Sequence, residues 1–163
     1  MKSLLLLAAI TAATSFAQSS AASEWKPMFD GKTLGKWKES EFPRRDRVVI
    51  EKGMILLPNG KPFTGIAWSD AFPKTNYELR FEAARLKGGD FFASVTFPVA
   101  DSFATLVLGG WGGDIVGISS IDGWDASDNE TRTYFDFEPG RWYAIRLRVT
   151  GDRIQAWIDE IRL

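Results

Sequence analysis

The sequence predicts an all-β domain, a two-sheet antiparallel β-sandwich, and three observations carry that prediction. Beyond residue 23 the apolar residues recur with period two, as in strands with one buried and one wet face. Clusters of Gly, Pro, Asn and Asp interrupt these runs at short intervals, as turns do. No window of ~11 residues there shows the 3.6-residue spacing of an amphipathic helix. At 163 residues, 45% apolar and 25% charged, the chain has the size and composition of one globular domain. No segment repeats at a fixed period, which argues against a propeller or solenoid.

The first element reads as an address. Met1-Lys2 is a short cationic start, Leu4 to Ala13 is apolar apart from Thr11, and small residues follow through Ser23. This succession predicts a signal peptide over residues 1–22, cleaved between Ala17 and Ser23. The apolar run falls short of the ~20 residues of a membrane span, and no Cys follows it for lipid attachment. The mature domain, residues 23–163, is therefore expected to be secreted or periplasmic, with no membrane association after cleavage.

Within that domain, Val48–Ile50 and Met54–Leu57 flank Glu51-Lys52-Gly53 and predict a hairpin. Tyr77, Leu79, Phe81 and Ala83 alternate with Glu78, Arg80, Glu82 and Ala84. Phe91, Ala93, Val95 and Phe97 resume the pattern after Gly88-Gly89-Asp90, so these two runs are expected to pair with each other. Phe103–Leu108 and Ile115–Ile118 bracket Gly109-Gly110-Trp111-Gly112-Gly113, another hairpin. Tyr143, Ile145, Leu147 and Val149 lead through Thr150-Gly151-Asp152 to Ile154, Ala156 and Ile158, the clearest hairpin of all. Trp157 lies there on the outward register. Asp159-Glu160 is a poor two-residue turn. Ile161-Arg162-Leu163 is also short of a usual strand of ~5–6 residues. The last long strand is thus expected to present an open edge.

Charge and composition bound the chemistry. Twenty Lys+Arg against 21 Asp+Glu give a net charge of -1, which offers no field for nucleic acid. The chain has no His and no Cys, which excludes a Ser-His-Asp triad, a Cys nucleophile, a Cys/His zinc site, haem or iron–sulfur ligation and any disulfide. Asp114, Asp122, Asp125, Asp128 and Glu130 place five carboxylates near Trp111 and Trp124. Indole faces that cover a pyranose and carboxylates that take its hydroxyls make a sugar site; the alternative is a solvated, Gly-rich acidic loop whose Asp residues make turns of their own backbone. Trp111, Trp124, Asp128 and Glu130 are accordingly the expected substrate-binding residues. The three-residue spacing of Asp122, Asp125 and Asp128 is not that of an EF-hand. A divalent metal ion held less regularly by these carboxylates stays open, with no ligands assigned. The glycine run lacks the Lys and the strand-to-helix context of a phosphate loop. Arg80, Arg146 and Arg148 share outward strand faces, either solvated or placed to hold a substrate carbonyl oxygen.

Met28-Phe29-Asp30-Gly31-Lys32-Thr33-Leu34-Gly35-Lys36-Trp37 resembles the opening motif of the bacterial secreted 3-keto-disaccharide hydrolase domain family, with Lys36 where that family usually has Gly. Gly140-Arg141-Trp142-Tyr143 through Gly151-Asp152-Arg153-Ile154-Gln155-Ala156-Trp157-Ile158 is similar to its late hairpin. The resemblance spans most of Trp25 to Asp159 and implies a jelly roll of the concanavalin A-like lectin/glucanase type. It also implies a hydrolase acting on glycosidic bonds of 3-keto-disaccharides or other oxidised glycosides. The family commonly carries an acidic residue in its central strand, where this chain reads Phe103-Ala104-Thr105-Leu106-Val107-Leu108. That departure supports a non-catalytic glycan-binding module as the alternative. The family usually continues through another strand or two beyond the position of Leu163, so the resemblance also implies a C-terminally incomplete domain, lacking its last strand or strands, with an inactive fragment as the further alternative. A keto group at C3 acidifies the C2 hydrogen and permits elimination of the C1 substituent. The route needs one general base and a cationic group for the developing enolate. Asp114, Asp122 and Asp125 are the expected candidates for the base.

Overall fold

The computed structural model of the chain describes residues 25–61 and 63–163. The expected signal segment, residues 1–22, lies outside the described residues. Among the described residues there is no helix, and the strands pair antiparallel. The chain divides after Ser69 into two compact units.

In the first unit β1 (Trp37–Glu39) pairs with β4 (Ile66–Trp68), and β2 (Val49–Glu51) pairs with β3 (Met54–Leu56). The β2–β3 hairpin is as the sequence predicts. Its turn residues Lys52 and Gly53 take φ of 52° and 78°, the positive values a tight hairpin demands. Strands β1 and β4, three residues each, are too short to show a period. The Met28–Trp37 motif is a local turn. Asp30 Oδ1 accepts the Lys32 and Thr33 N–H groups, each at 2.7 Å, and Trp37 Nε1 donates to the Met28 carbonyl at 2.8 Å.

The second unit is the sandwich. One sheet has the order β12-β11-β10-β5, from β5 (Tyr77–Ala84), β10 (Trp142–Val149), β11 (Ile154–Ile158) and β12 (Ile161–Arg162). The other has the order β6-β7-β8-β9, from β6 (Val95–Val99), β7 (Ser102–Gly110), β8 (Ile115–Ser119) and β9 (Thr133–Tyr134). Inward residues of both meet in one core: Phe97, Leu106, Leu108 and Val116 from one sheet, Tyr143, Ile145, Leu147 and Ile158 from the other.

Two local expectations need correction. The runs Tyr77–Ala83 and Phe91–Phe97 do not pair with each other. β5 pairs with β10 along its whole length, from Tyr77↔Val149 to Ala84↔Trp142, and β6 pairs with β7. The ten residues from Arg85 to Ser94 are too many for a tight turn and instead carry the chain between the sheets. Arg85 fixes that crossover, donating from Nη1 to the Gly113 carbonyl (3.1 Å) and from Nη2 to the Phe137 carbonyl (2.7 Å). The Asp159-Glu160 turn, poor by its residue types, nonetheless joins β11 to a short β12. Asp159 adopts φ 52° there, and its Oδ1 accepts the Ala144 N–H at 2.9 Å.

Candidate functional site

The β7–β8 hairpin and the following loop contain every tryptophan and carboxylate the sequence nominates. Gly110 and Ile115 are register partners, so Trp111 to Asp114 form the turn between them. Trp111 is 41% exposed, with its ring centroid 5.0 Å from that of Phe91. Asp114 is half-buried at the start of β8. Asp122 and Trp124 stand beyond the other end of that strand, in a tight turn closed by the Trp124 N–H on the Ile121 carbonyl at 2.9 Å. Trp124 is 63% exposed there. Asp114 and Ser120 are thus six strand steps apart, on the order of 20 Å. The strand separates Trp111 and Asp114 from Trp124, Asp122 and Asp125, and among the described residues no hydrogen bond or ion pair joins the side chains of these three aspartates.

The loop after β8 folds over the outer face of its sheet. The Ala126 N–H donates to Ser119 Oγ at 3.0 Å. Asn129 Nδ2 donates to the Ile118 carbonyl at 2.8 Å and to the Trp124 carbonyl at 3.2 Å. Its Oδ1 accepts both the N–H (2.9 Å) and the Oγ1 hydrogen (2.6 Å) of Thr131. Asp128 and Glu130 are exposed on this loop, Asp128 accepting from Ser127 Oγ at 2.7 Å. Among the described residues no three of His, Cys, Asp and Glu form a group that would hold a metal ion.

A concavity of the sandwich unit lies elsewhere, on the outer face of the β5–β10–β11–β12 sheet. It is a groove of about 520 Å³ lined by Arg80, Glu82, Ala144, Arg146, Asp159 and Glu160, with Phe81 and Ile145 beneath. Its layout follows from strand register. Arg80 lies opposite Arg146, Arg146 opposite Trp157, and Trp157 opposite Arg162, one rung across four strands. The Arg146 guanidinium sits 3.7 Å from the Trp157 ring centroid, a cation–π stack that holds the fork in place. Among the described residues no carboxylate forms an ion pair with it. Arg80 is engaged by Glu78 at 2.7 Å.

The adjacent rung carries the opposite charge. Glu82 lies opposite Ala144, whose small side chain leaves the floor open. Asp159 is committed to structure, with Oδ1 on the Ala144 N–H and Oδ2 accepting from Arg141 Nη2 at 3.0 Å. Glu82 and Glu160 are exposed carboxylates on the lining. A base beside an anchored guanidinium is the pair that enolate formation requires. The sequence nominated Arg80 and Arg146 for a carbonyl oxygen but missed Glu82 and Glu160. The outward register of β5 contains that signal, yet it becomes informative only once β5 is paired with β10.

A family model described as a 3-keto-alpha-glucoside-1,2-lyase-like domain matches residues 24–162. No curated protein and no solved structure gives a match.

Proposed function

The chain belongs to the 3-keto-alpha-glucoside-1,2-lyase-like domain family, and from that premise we propose that it cleaves the glycosidic bond of a 3-keto-glycoside in the groove of Glu82 and Arg146. The observation that carries this reading is the Arg146 guanidinium, stacked on Trp157 and free of any carboxylate ion pair among the described residues, one rung from Glu82. Rungs on one strand face are about 7 Å apart. In this reading Glu82 and Arg146 each reach to hydrogen-bond distance of the C2–C3 edge of a sugar bound between them.

In this mechanism the Glu82 carboxylate removes the C2 proton. Arg146 donates hydrogen bonds to the C3 oxygen, where the enolate charge develops. Collapse of the enolate forms the C1=C2 bond and breaks the bond from C1 to the departing oxygen. The proton taken from C2 ends on the released alcohol, so the step balances without water. Addition of water across C1=C2 would then complete a net hydrolysis, the outcome the sequence resemblance implies. A carbohydrate is the ligand in this reading. Export, with cleavage between Ala17 and Ser23, also belongs to it; intact-mass measurement of exported protein tests that part.

Turnover of a 3-keto-disaccharide, followed by the absorbance of the unsaturated ketone, decides the placement. Glu82→Gln should lose about 10²–10⁴-fold in rate, the usual contribution of a general base. Parallel Asp114→Asn, Asp122→Asn and Asp125→Asn variants carry the alternative base assignments. Loss in one of these with Glu82→Gln fully active would move the chemistry out of the groove. The second reading, a glycan-binding module without turnover, is favoured by β7, whose Ser102–Gly110 run carries no carboxylate. Saturable binding of the keto sugar with no unsaturated product would select it.

A further inference from the structure

We propose that the turn between Gly110 and Ile115 is a carbohydrate-binding platform separate from the groove, where Trp111 stacks on the apolar face of a hexose and Asp114 accepts its hydroxyl hydrogens. The platform lies on the other sheet of the sandwich, at the tip of the β7–β8 hairpin, and does not depend on where catalysis occurs.

Trp111 is held in an unusual way for an exposed aromatic residue. Its φ is 45°, a left-handed conformation that bulky side chains rarely adopt. Residues kept in such conformations cluster at ligand clamps. The indole is backed by Phe91, at 5.0 Å between centroids and 60° between planes. Phe91 in turn lies over Gly110, where an added Cβ would stand 2.8 Å from the Phe91 ring. The indole therefore has a fixed support beneath it and 41% of its surface in solvent.

The turn around it is equally pinned. Asp90 Oδ1 accepts the N–H groups of Phe91 (2.9 Å) and Gly112 (3.4 Å). The Gly113 N–H donates to the Gly110 carbonyl at 3.2 Å, and Arg85 holds the Gly113 carbonyl from the other side. Beside Trp111 the space is open, since an added Cβ at Gly112 would meet nothing within 4 Å. A preorganised ring loses little freedom when a ligand settles on it, so more of the contact energy appears as affinity.

The neighbouring chemistry selects the ligand class. The turn carries an exposed aromatic face and, three residues on, the half-buried carboxylate of Asp114, and a molecule with an apolar C–H face and hydroxyls at its edge suits both. Asp90 and Asp114 flank the turn, and their charge opposes a phosphate backbone, which removes single-stranded nucleic acid as the stacking partner.

Calorimetric titration of the full chain with maltotetraose tests the platform, because this neutral oligosaccharide carries no keto group for the groove to process. Saturable binding is expected, weakened at least tenfold in Trp111→Ala and largely restored in Trp111→Phe. Glu82→Gln, which the groove reading strips of its base, should bind as the wild type does, and so should Trp124→Ala. If Trp111→Ala fails to fold, Trp111→Phe against Trp111→Leu reads the same dependence on a ring. The platform is overturned by absent binding in the wild type or by wild-type affinity without a ring at position 111. It is equally overturned if the loss falls on Trp124→Ala or Glu82→Gln instead. Those results leave the groove reading to be judged on keto-disaccharide turnover alone.

Discussion

Along β10 exposed or half-exposed residues alternate with buried ones, whereas from Ala104 to Gly110 no residue of β7 is exposed. The two strands serve the same core, through Tyr143, Ile145 and Leu147 on one and Leu106 and Leu108 on the other. What differs is the reverse face. On β10 and β5 it presents Arg80, Glu82, Arg146 and Arg148 and forms the floor of the groove. On β7 and β8 it presents Val107, Gly117 and Ser119, all buried although turned away from the core. Ala126 and Thr131 lie over Gly117, and Phe91 lies over Val107 and Gly110. A sheet face covered by loops needs small or apolar residues and full hydrogen bonding, which the Ala126–Ser119, Asn129–Ile118 and Thr131–Asn129 bonds supply. An uncovered face can keep its charges solvated and available to a ligand.

The largest expected effect tests what the two sheets share. Tyr143 is fully buried, with the rings of Phe135 at 5.6 Å and Phe137 at 5.2 Å. Tyr143→Ala should cost about 3–5 kcal/mol of stability in urea unfolding. A loss under about 1 kcal/mol would mean that the sheets do not depend on a common core.

The next effect separates the two outer faces. A Cβ at Gly117 would stand 3.0 Å from the Thr131 carbonyl oxygen and 3.1 Å from the Ala126 Cβ, with no room between sheet and loop. Gly117→Ala should therefore cost about 1–3 kcal/mol by overpacking. Arg148→Ala, on the uncovered face, should change stability by no more than about 0.5 kcal/mol. Equal effects in thermal melts of the two variants would erase the distinction between the faces.

Period two made β5, β10 and β11 legible in the sequence, because one wet face leaves an alternation to read. The same period could not say which strand each would join. Tyr77–Ala84 was expected to pair with the next run in sequence, and its true partner, β10, begins 58 positions after Ala84. With that pairing unknown, Glu82 and Arg146 belonged to different parts of the chain, and the outward registers that carry them did not show that they line one groove. The Gly109–Gly113 hairpin was legible from its glycines. The distance between Trp111 and Trp124 was not, since five carboxylates close in sequence looked like one site. A strand of five residues, β8, lies between its halves.

A smaller effect sharpens the description of the groove itself. Asp159 closes one end by holding the Ala144 N–H and Arg141 together. Asp159→Ala should cost about 1 kcal/mol, the net value of such bonds near a surface. Amide exchange at Ala144 should accelerate, while exchange at Ser119 on the covered face should not change. Acceleration at both amides would show that the faces open together.

The smallest effect concerns pH and the turn that ends the uncovered sheet. Asp152 accepts from Arg153 Nη2 at 2.8 Å and from Thr150 Oγ1 at 2.8 Å. The Arg153 hydrogen bond first, then that of Thr150, holds its carboxyl below the ordinary aspartate value. A carboxyl depressed in the folded state adds stability that is fully present above its unfolded value, about 3.9. That stability fades as pH falls through the lower folded value, because protonation removes the acceptor the turn relies on. Asp152→Asn should therefore flatten the acid limb of the stability profile below about pH 4 and leave the profile near neutrality displaced but parallel. An acid limb of unchanged slope would place the pH sensitivity of the sandwich outside this turn.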